Sequence, residues 1–205
     1  MRAPKLRELA EAIKSLISKP ATSMFPARPH EPYEGFRGKP EFSEAGCVGC
    51  GACAQVCPAG AIEVVDPDPS VEEWTVPMRR LTVHYDQCNF CGNCQAHCIT
   101  GEGIRLTPQY DLALFDRQLA HEFVEMELVR CDLCGAALTT RKHLLWIARR
   151  LGPLAYGNPT LLLTAQRAHL PVESGRAGAS LRRPDLFKVL CPRCRKSVML
   201  KDIYG

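Results

Sequence analysis

Apolar residues near the start of the chain recur at helical spacing. Leu6, Leu9, Ile13, Leu16 and Ile17 fall three, four and seven apart, which predicts one amphipathic helix within residues 1–19. Arg2, Lys5, Arg7, Lys14 and Lys19 outnumber Glu8 and Glu11, so the polar face is basic. Such a helix suits either a membrane interface or the surface of a partner. Residues 20–42 follow as an arm, because Pro20, Pro26, Pro29, Pro32 and Pro40 forbid a long helix. Phe25, Tyr33, Phe36 and Phe42 give it aromatic contact points.

Beyond the arm the pattern shortens. Residues 61–65 (AIEVV), 81–85 and 104–107 read as short strands. Residues 66–70 (DPDPS) form a turn, and Trp74–Val76 is the expected return strand of a hairpin. Residues 110–130 are acidic and apolar, and are expected to form a strand and then a helix. Thr139–Leu151 carries Leu144, Leu145, Ile147 and Ala148 among four basic residues, which predicts a helix ended by Gly152-Pro153. Gly175–Ser180 reads as a loop. The expected organisation is an N-terminal helix and arm (1–42), a central domain (43–115) and a C-terminal extension (116–205).

Twelve cysteines in 205 residues decide the chemistry. Cys47, Cys50, Cys53 and Cys57 are matched 41 residues later by Cys88, Cys91, Cys94 and Cys98. The first block, ending in Pro58, is the run C-x2-C-x2-C-x3-C-P of bacterial two-cluster ferredoxins. In that run three cysteines two residues apart hold three corners of one cubane, and the fourth reaches the other cluster. One [4Fe-4S] cluster is therefore expected on Cys47, Cys50, Cys53 and Cys98, and a second on Cys88, Cys91, Cys94 and Cys57. Eight structural zinc ligands would use paired knuckles, not triplets. The second block lacks the usual proline, with Ile99 in its place, so its turn loses a fixed φ and a shifted potential or altered exposure is expected. Cys131 and Cys134 form a C-x2-C pair, as do Cys191 and Cys194. Together they suit one tetrahedral ion: a structural Zn²⁺ first, a mononuclear iron as the alternative. The motive is that residues 131–205 carry too many prolines and glycines to build a large core unaided.

Other readings fall away or stay secondary. No uninterrupted apolar stretch reaches membrane-spanning length, and the charged first 20 residues do not form a signal-peptide core, so a cytoplasmic chain is expected. There, cysteine groups mean metal rather than disulfides. The formal charge of +4 turns slightly negative once the thiols ionise on metal, which removes a nucleic-acid reading. Residues 141–196 hold 12 Lys and Arg against Glu173 and Asp185, the makings of a positive docking face. His97, beside Cys98, is a candidate donor to a cluster sulfur, while His84, His121, His143 and His169 show no ligand spacing. Trp74 and Trp146 read as core or interface residues. No catalytic triad or phosphate-binding loop is evident, so no catalytic residue is assigned.

Three elements carry a family resemblance: residues 36–41 (FRGKPE), both four-cysteine blocks, and residues 107–113 (TPQYDLA). With them the chain resembles the ferredoxin-like subunit of formate hydrogenlyase and related group 4 membrane-bound [NiFe] hydrogenases, relatives of the two-cluster subunit of respiratory complex I. The pairs Cys131/Cys134 and Cys191/Cys194 match the hydrogenlyase type, whereas the complex I subunit typically lacks them. The resemblance implies an α+β, bacterial-type two-cluster ferredoxin fold with an N-terminal amphipathic helix and arm and a metal-stapled C-terminal extension. It further implies a non-catalytic electron wire at the cytoplasmic face of the inner membrane. Its expected partners are the small and large [NiFe] hydrogenase subunits, a ferredoxin-like or dehydrogenase donor such as formate dehydrogenase, and membrane-arm subunits. The alternatives are a wire in a complex I-like quinone oxidoreductase, or a free ferredoxin-like adaptor.

Overall fold

The structure is a computed structural model that describes residues 5–19, 22–68, 76–170 and 186–204. Trp74 and Gly175–Ser180 lie outside the described residues. Two compact units are present, Met1–Phe36 and Arg37–Gly205.

In the first unit, helix α1 spans Leu6–Ile17. The Glu8 carboxylate accepts from the Lys5 backbone N–H at 3.0 Å, satisfying one free donor at the helix start. No residue of α1 is buried, and its apolar face is bare: Leu6, Leu16 and Ile17 are each more than 80% exposed. Further along this unit, Tyr33 and Phe36 meet edge to face at 5.9 Å.

The second unit is built on the internal repeat. Helices α2 (Ala52–Gln55) and α3 (Asn93–Ala96) occupy equivalent places in the two cysteine blocks. Strand β1 (Pro40–Phe42), before the first block, pairs antiparallel with β4 (Ile104–Leu106), after the second. Strand β2 (Ile62–Val65), after the first block, pairs with β3 (Met78–His84), before the second. Each antiparallel pair thus joins the two halves of the repeat, and this crossing brings each block's last cysteine towards the other block. Of the return strand expected at Trp74–Val76, residues 74 and 75 lie outside the described residues and Val76 is not in a strand; the strand that pairs with β2 spans Met78–His84.

Residues 110–130 depart from expectation. After a short 3-10 helix (Arg117–Leu119) the chain forms one ten-residue strand, β5 (His121–Arg130), and no helix. Val124, Met126 and Leu128 are buried and Phe123 and Glu125 exposed, a period of two in which Glu125 and Glu127 are the polar positions. β5 pairs along the whole of β3 and then with β6 (Ala137–Thr140), giving a four-stranded sheet in the order β2-β3-β5-β6. This sheet crosses the 115/116 boundary drawn from the sequence. Within the second unit, Gly38 and Lys39 donate to the Thr107 and Gln109 carbonyls at 2.9 Å, which extends the contact of β1 with β4.

Helix α4 (Arg141–Leu151) starts two residues later than expected, because Thr140 is its N-cap and accepts from His143 N at 3.1 Å. A 3-10 segment (Gly152–Gly157) follows, then α5 (Pro159–His169), capped by Asn158, and α6 (Pro192–Tyr204). The main core lies between the sheet and the cysteine loops, with Leu81, Val83, Ile104, Val124 and Met126 packed on Cys47 and Cys53. Two satellite cores are much smaller: Leu144, Ala155 and Leu161 between α4 and α5, and Leu190 and Val198 beside Cys131.

Candidate iron–sulfur and tetrathiolate sites

The two cysteine loops repeat one backbone design. Gly51 and Gly92 precede α2 and α3 with φ of 77° and 84°, and Gly60 and Gly101 close the loops with φ of 61° and 74°. The third matching pair breaks the pattern. Where the first loop has Gly49 at φ 66°, the second has Phe90 at φ 52°, a bulky side chain in the left-handed region. Equivalent hydrogen bonds recur, Cys47 N to Ser43 O at 2.7 Å and Cys88 N to His84 O at 3.1 Å.

The thiols gather into two groups. The Cys50 and Cys98 sulfurs both act on Cys47, and a side chain at Gly103 would meet the Cys47 backbone and, at 3.1 Å, the Cys98 sulfur. A small cavity is lined by Cys47, Cys50, Cys53 and Cys98 together. In the second group the Cys57 and Cys91 sulfurs act on Cys88, and those of Cys88, Cys91 and Cys57 act on Cys94. Cys53 also feels Cys94, where the two groups adjoin.

Burial, reinforced by neighbouring sulfurs, pushes the Cys53 thiol up to about 12. It likewise raises Cys47, Cys88 and Cys94. Crowded thiols that resist ionisation in an apolar pocket make a donor set suited to a metal centre, whose positive charge replaces water in stabilising the thiolates. N–H donors already point at the sulfurs: Ala61 N to Cys57 Sγ at 3.3 Å and Phe90 N to Cys88 Sγ at 3.4 Å. At Cys98, burial pushes the thiol up, but the Thr100 hydroxyl and the N–H groups of Thr100, Gly103 and Gly101 outweigh it and hold the thiol below its ordinary value. Thr100 thus supplies a donor at the turn that lacks proline. His97 does not fill the donor role expected of it through Nδ1, which pairs with the Asn93 carbonyl at 3.0 Å.

The first loop is held from outside the ferredoxin repeat. Buried Thr140 donates its hydroxyl to the Val48 carbonyl, and Lys142 donates to the Glu44 carbonyl at 2.6 Å. Arg79 donates to the Gly49 carbonyl at 3.1 Å. These residues were not singled out from the sequence; none sits in a motif, and their partners are 30 to 98 positions away. The second loop receives Arg37 on the Cys91 carbonyl at 3.0 Å, from an exposed position.

Farther along the chain, the Cys131, Cys134, Cys191 and Cys194 sulfurs lie within 4.8 Å of one another, and Cys134 and Cys191 are 3.8 Å apart. A tetrahedron with metal–sulfur bonds of about 2.3 Å has edges of about 3.8 Å, whereas a disulfide needs about 2.05 Å. This group can bind a metal. Cys131 and Cys134 form a knuckle closed by Gly135 at φ 71°, while Cys191 and Cys194 bracket the first turn of α6, so the second pair is a helix start and not a second knuckle. Burial raises the Cys131 thiol, but N–H groups of Cys191, Cys134 and Leu133 bring it down to about 7. Asp132 joins the two segments of the site. Its carboxylate accepts from Val189 N at 2.7 Å and from Arg167 at 2.8 Å, with 10% of its side chain exposed. The positive face expected over 141–196 is partly neutralised, since Arg141 pairs with Glu127 and Arg167 with Asp132. Trp146 is half-buried on α4 under Arg150, and no described helix is long and apolar enough to cross a membrane.

Fold and thiol arrangement define an iron–sulfur protein of the dicluster ferredoxin class, and the family model for the 4Fe-4S dicluster domain matches residues 46–101. The chain is 31% identical over 138 residues to NAD(P)H-quinone oxidoreductase subunit I of Gloeobacter violaceus, covering 67% of this chain and 61% of that protein. It is 30% identical to NADH-quinone oxidoreductase subunit I 2 of Geobacter metallireducens, covering 56% of this chain and 88% of that one. Formate hydrogenlyase subunit 6 of Escherichia coli is 31% identical, with 60% and 65% covered. The chain belongs to the family of two-cluster iron–sulfur subunits that these proteins represent, although it spans less than two thirds of the length of the Gloeobacter and Escherichia relatives.

Proposed function

We propose that this chain is the electron wire of a membrane-associated oxidoreductase complex. In this reading Cys47, Cys50, Cys53 and Cys98 hold one [4Fe-4S] cluster, and Cys88, Cys91, Cys94 and Cys57 the other. Each cluster, when bound, accepts and releases one electron without bond rearrangement. The protein's own part is to exclude water and to fix donors. Ile62, Leu81 and Ile104 dry the first site, and the N–H groups aimed at Cys57, Cys88 and Cys98 are in place beforehand, which keeps reorganisation small. What supports this reading is that Cys98 lines one cavity with Cys47, Cys50 and Cys53, and that Cys57 acts electrostatically on Cys88 and Cys94. Cys57→Ser and Cys88→Ser should abolish the same EPR signal of the reduced protein, and Cys98→Ser and Cys47→Ser the other. Loss of the Cys47 signal in Cys57→Ser overturns the assignment.

The tetrathiolate site is read as a structural Zn²⁺ that staples the C-terminal extension, because the local core of Leu190 and Val198 is too small to hold it alone. Metal analysis should find one ion per chain besides cubane iron; rubredoxin-like absorption would make that ion iron instead.

Electrons would pass between a donor module, such as a formate-oxidising dehydrogenase, and the [NiFe] hydrogenase subunits of the complex. The extra cysteine pairs favour this hydrogenlyase reading. The 88% coverage of the Geobacter subunit supports a second one, a quinone-reducing complex. A gentle membrane extract decides: co-purifying [NiFe] subunits support the first reading, and their absence beside a quinone-reducing activity supports the second. The bare apolar face of α1 is the proposed attachment, at the cytoplasmic membrane face or to a membrane-arm subunit.

A further inference from the structure

The first cysteine loop is approached by a guanidinium that water barely reaches. Arg79, on β3, has 12% of its side chain exposed. Its Nε and Nη2 face the Asp66 carboxylate at 2.7 and 2.8 Å, while Nη1 reaches past it to the Gly49 carbonyl at 3.1 Å. The pair is therefore oriented, with the positive end on the cluster loop and the negative end behind it. Asp66, and after it the Cys50 sulfur, hold the proton on Arg79 more tightly, so the guanidinium lies within electrostatic reach of a ligand sulfur. The second loop has no such buried charge among the described residues; its one guanidinium contact, Arg37, comes from an exposed residue.

Reduction adds one negative charge to a cluster. A fixed positive charge beside it stabilises the reduced form, and does so more effectively where solvent cannot screen it. We propose that Arg79 sets the reduction potential of the centre held by Cys47, Cys50, Cys53 and Cys98, raising it, with Asp66 as the opposing weight. The proposal rests on the cluster assignment made above. It makes Arg79 a residue that acts on the cluster through the Gly49–Cys50 loop.

The experiment is an EPR-monitored redox titration of the full-length protein with both clusters in place. Arg79→Gln should lower the reduced-to-oxidised ratio of the first cluster about threefold at fixed potential, about 28 mV for one electron at 59 mV per tenfold. Asp66→Asn, which keeps a hydrogen-bond acceptor and removes the negative charge, should raise that ratio. Arg79→Lys should hold it near wild type, and the second cluster should stay put in all three. A merely structural pair would move both variants the same way. Unchanged potentials, shifts of the same sign, or equal shifts at both clusters overturn the proposal. If Arg79→Gln fails to retain the first cluster, Asp66→Asn decides alone, and no rise overturns it. Iron content separates the two levels. Fewer than two clusters in the wild type refutes the assignment itself, while two clusters with insensitive potentials refute only the role of Arg79.

Discussion

Replacing Thr140 by valine tests whether the C-terminal extension holds the first cluster loop. The side chain is fully buried, and valine matches its shape, so neither cavity nor clash complicates the change. Two hydrogen bonds disappear. The Val48 carbonyl loses its hydroxyl donor, and a carbonyl stranded in the interior costs about 1–3 kcal/mol. The N-cap bond from His143 N also goes, at about 1 kcal/mol. The sum is about 2–4 kcal/mol, offset slightly by one more buried methyl group. If the loop opens before the cluster is lost, the first cluster should bleach in urea at least about 30-fold faster, since each 1.4 kcal/mol is about tenfold. Thr140→Ser keeps both bonds and should bleach far more slowly than the valine variant. Anaerobic absorbance decay, with EPR to show which signal goes first, makes the measurement. Equal rates for the valine and serine variants would refute the reasoning, as would loss of the second cluster first.

Gly49→Ala should prevent assembly of the first cluster, because the new methyl would sit 2.6 Å from the Thr140 methyl at a φ of 66°. Gly101→Ala, with open space around it, should cost only about 1–2 kcal/mol of backbone strain and keep both clusters, as read by iron content. Burial, and then the Arg79 charge, hold His143 below its ordinary 6.5, so the folded chain binds fewer protons than the unfolded one. The stability from neutral His143 is therefore present above about pH 6.5 and falls away below it, and His143→Gln should flatten a melting profile across that range. Deleting residues 1–19 should release the chain from membranes with both clusters intact, as read by fractionation and EPR; undiminished retention would move the attachment to the Pro-rich arm.

Much of the chemistry was legible in the chain because ligand spacing is a local property. A C-x2-C-x2-C run must curl around something small, and Gly49, Gly51 and Gly92 stand where the backbone takes a positive φ. The helix of residues 6–17 was likewise readable from one apolar stripe. Strand β5 was missed although Val124, Met126 and Leu128 alternate with Glu125 and Glu127, because that window is short and flanked by apolar pairs that also suit a helix; pairing with β3 decides it, with Val124 opposite Leu81. Position 90 shows the same limit. Repeat arithmetic puts Phe90 opposite Gly49, yet only the folded loop reveals that it too takes a left-handed turn. Thr140, Lys142 and Arg79 carry no motif at all. A hydroxyl, ammonium or guanidinium becomes a clasp when a carbonyl 30 to 98 residues away arrives at hydrogen-bond distance, and that meeting depends on sheet register and helix placement. The grouping of cysteines into blocks and pairs was thus written in local spacing. The charges and donors that tune and hold them were decided by tertiary structure, because electrostatics act through space between residues remote along the chain.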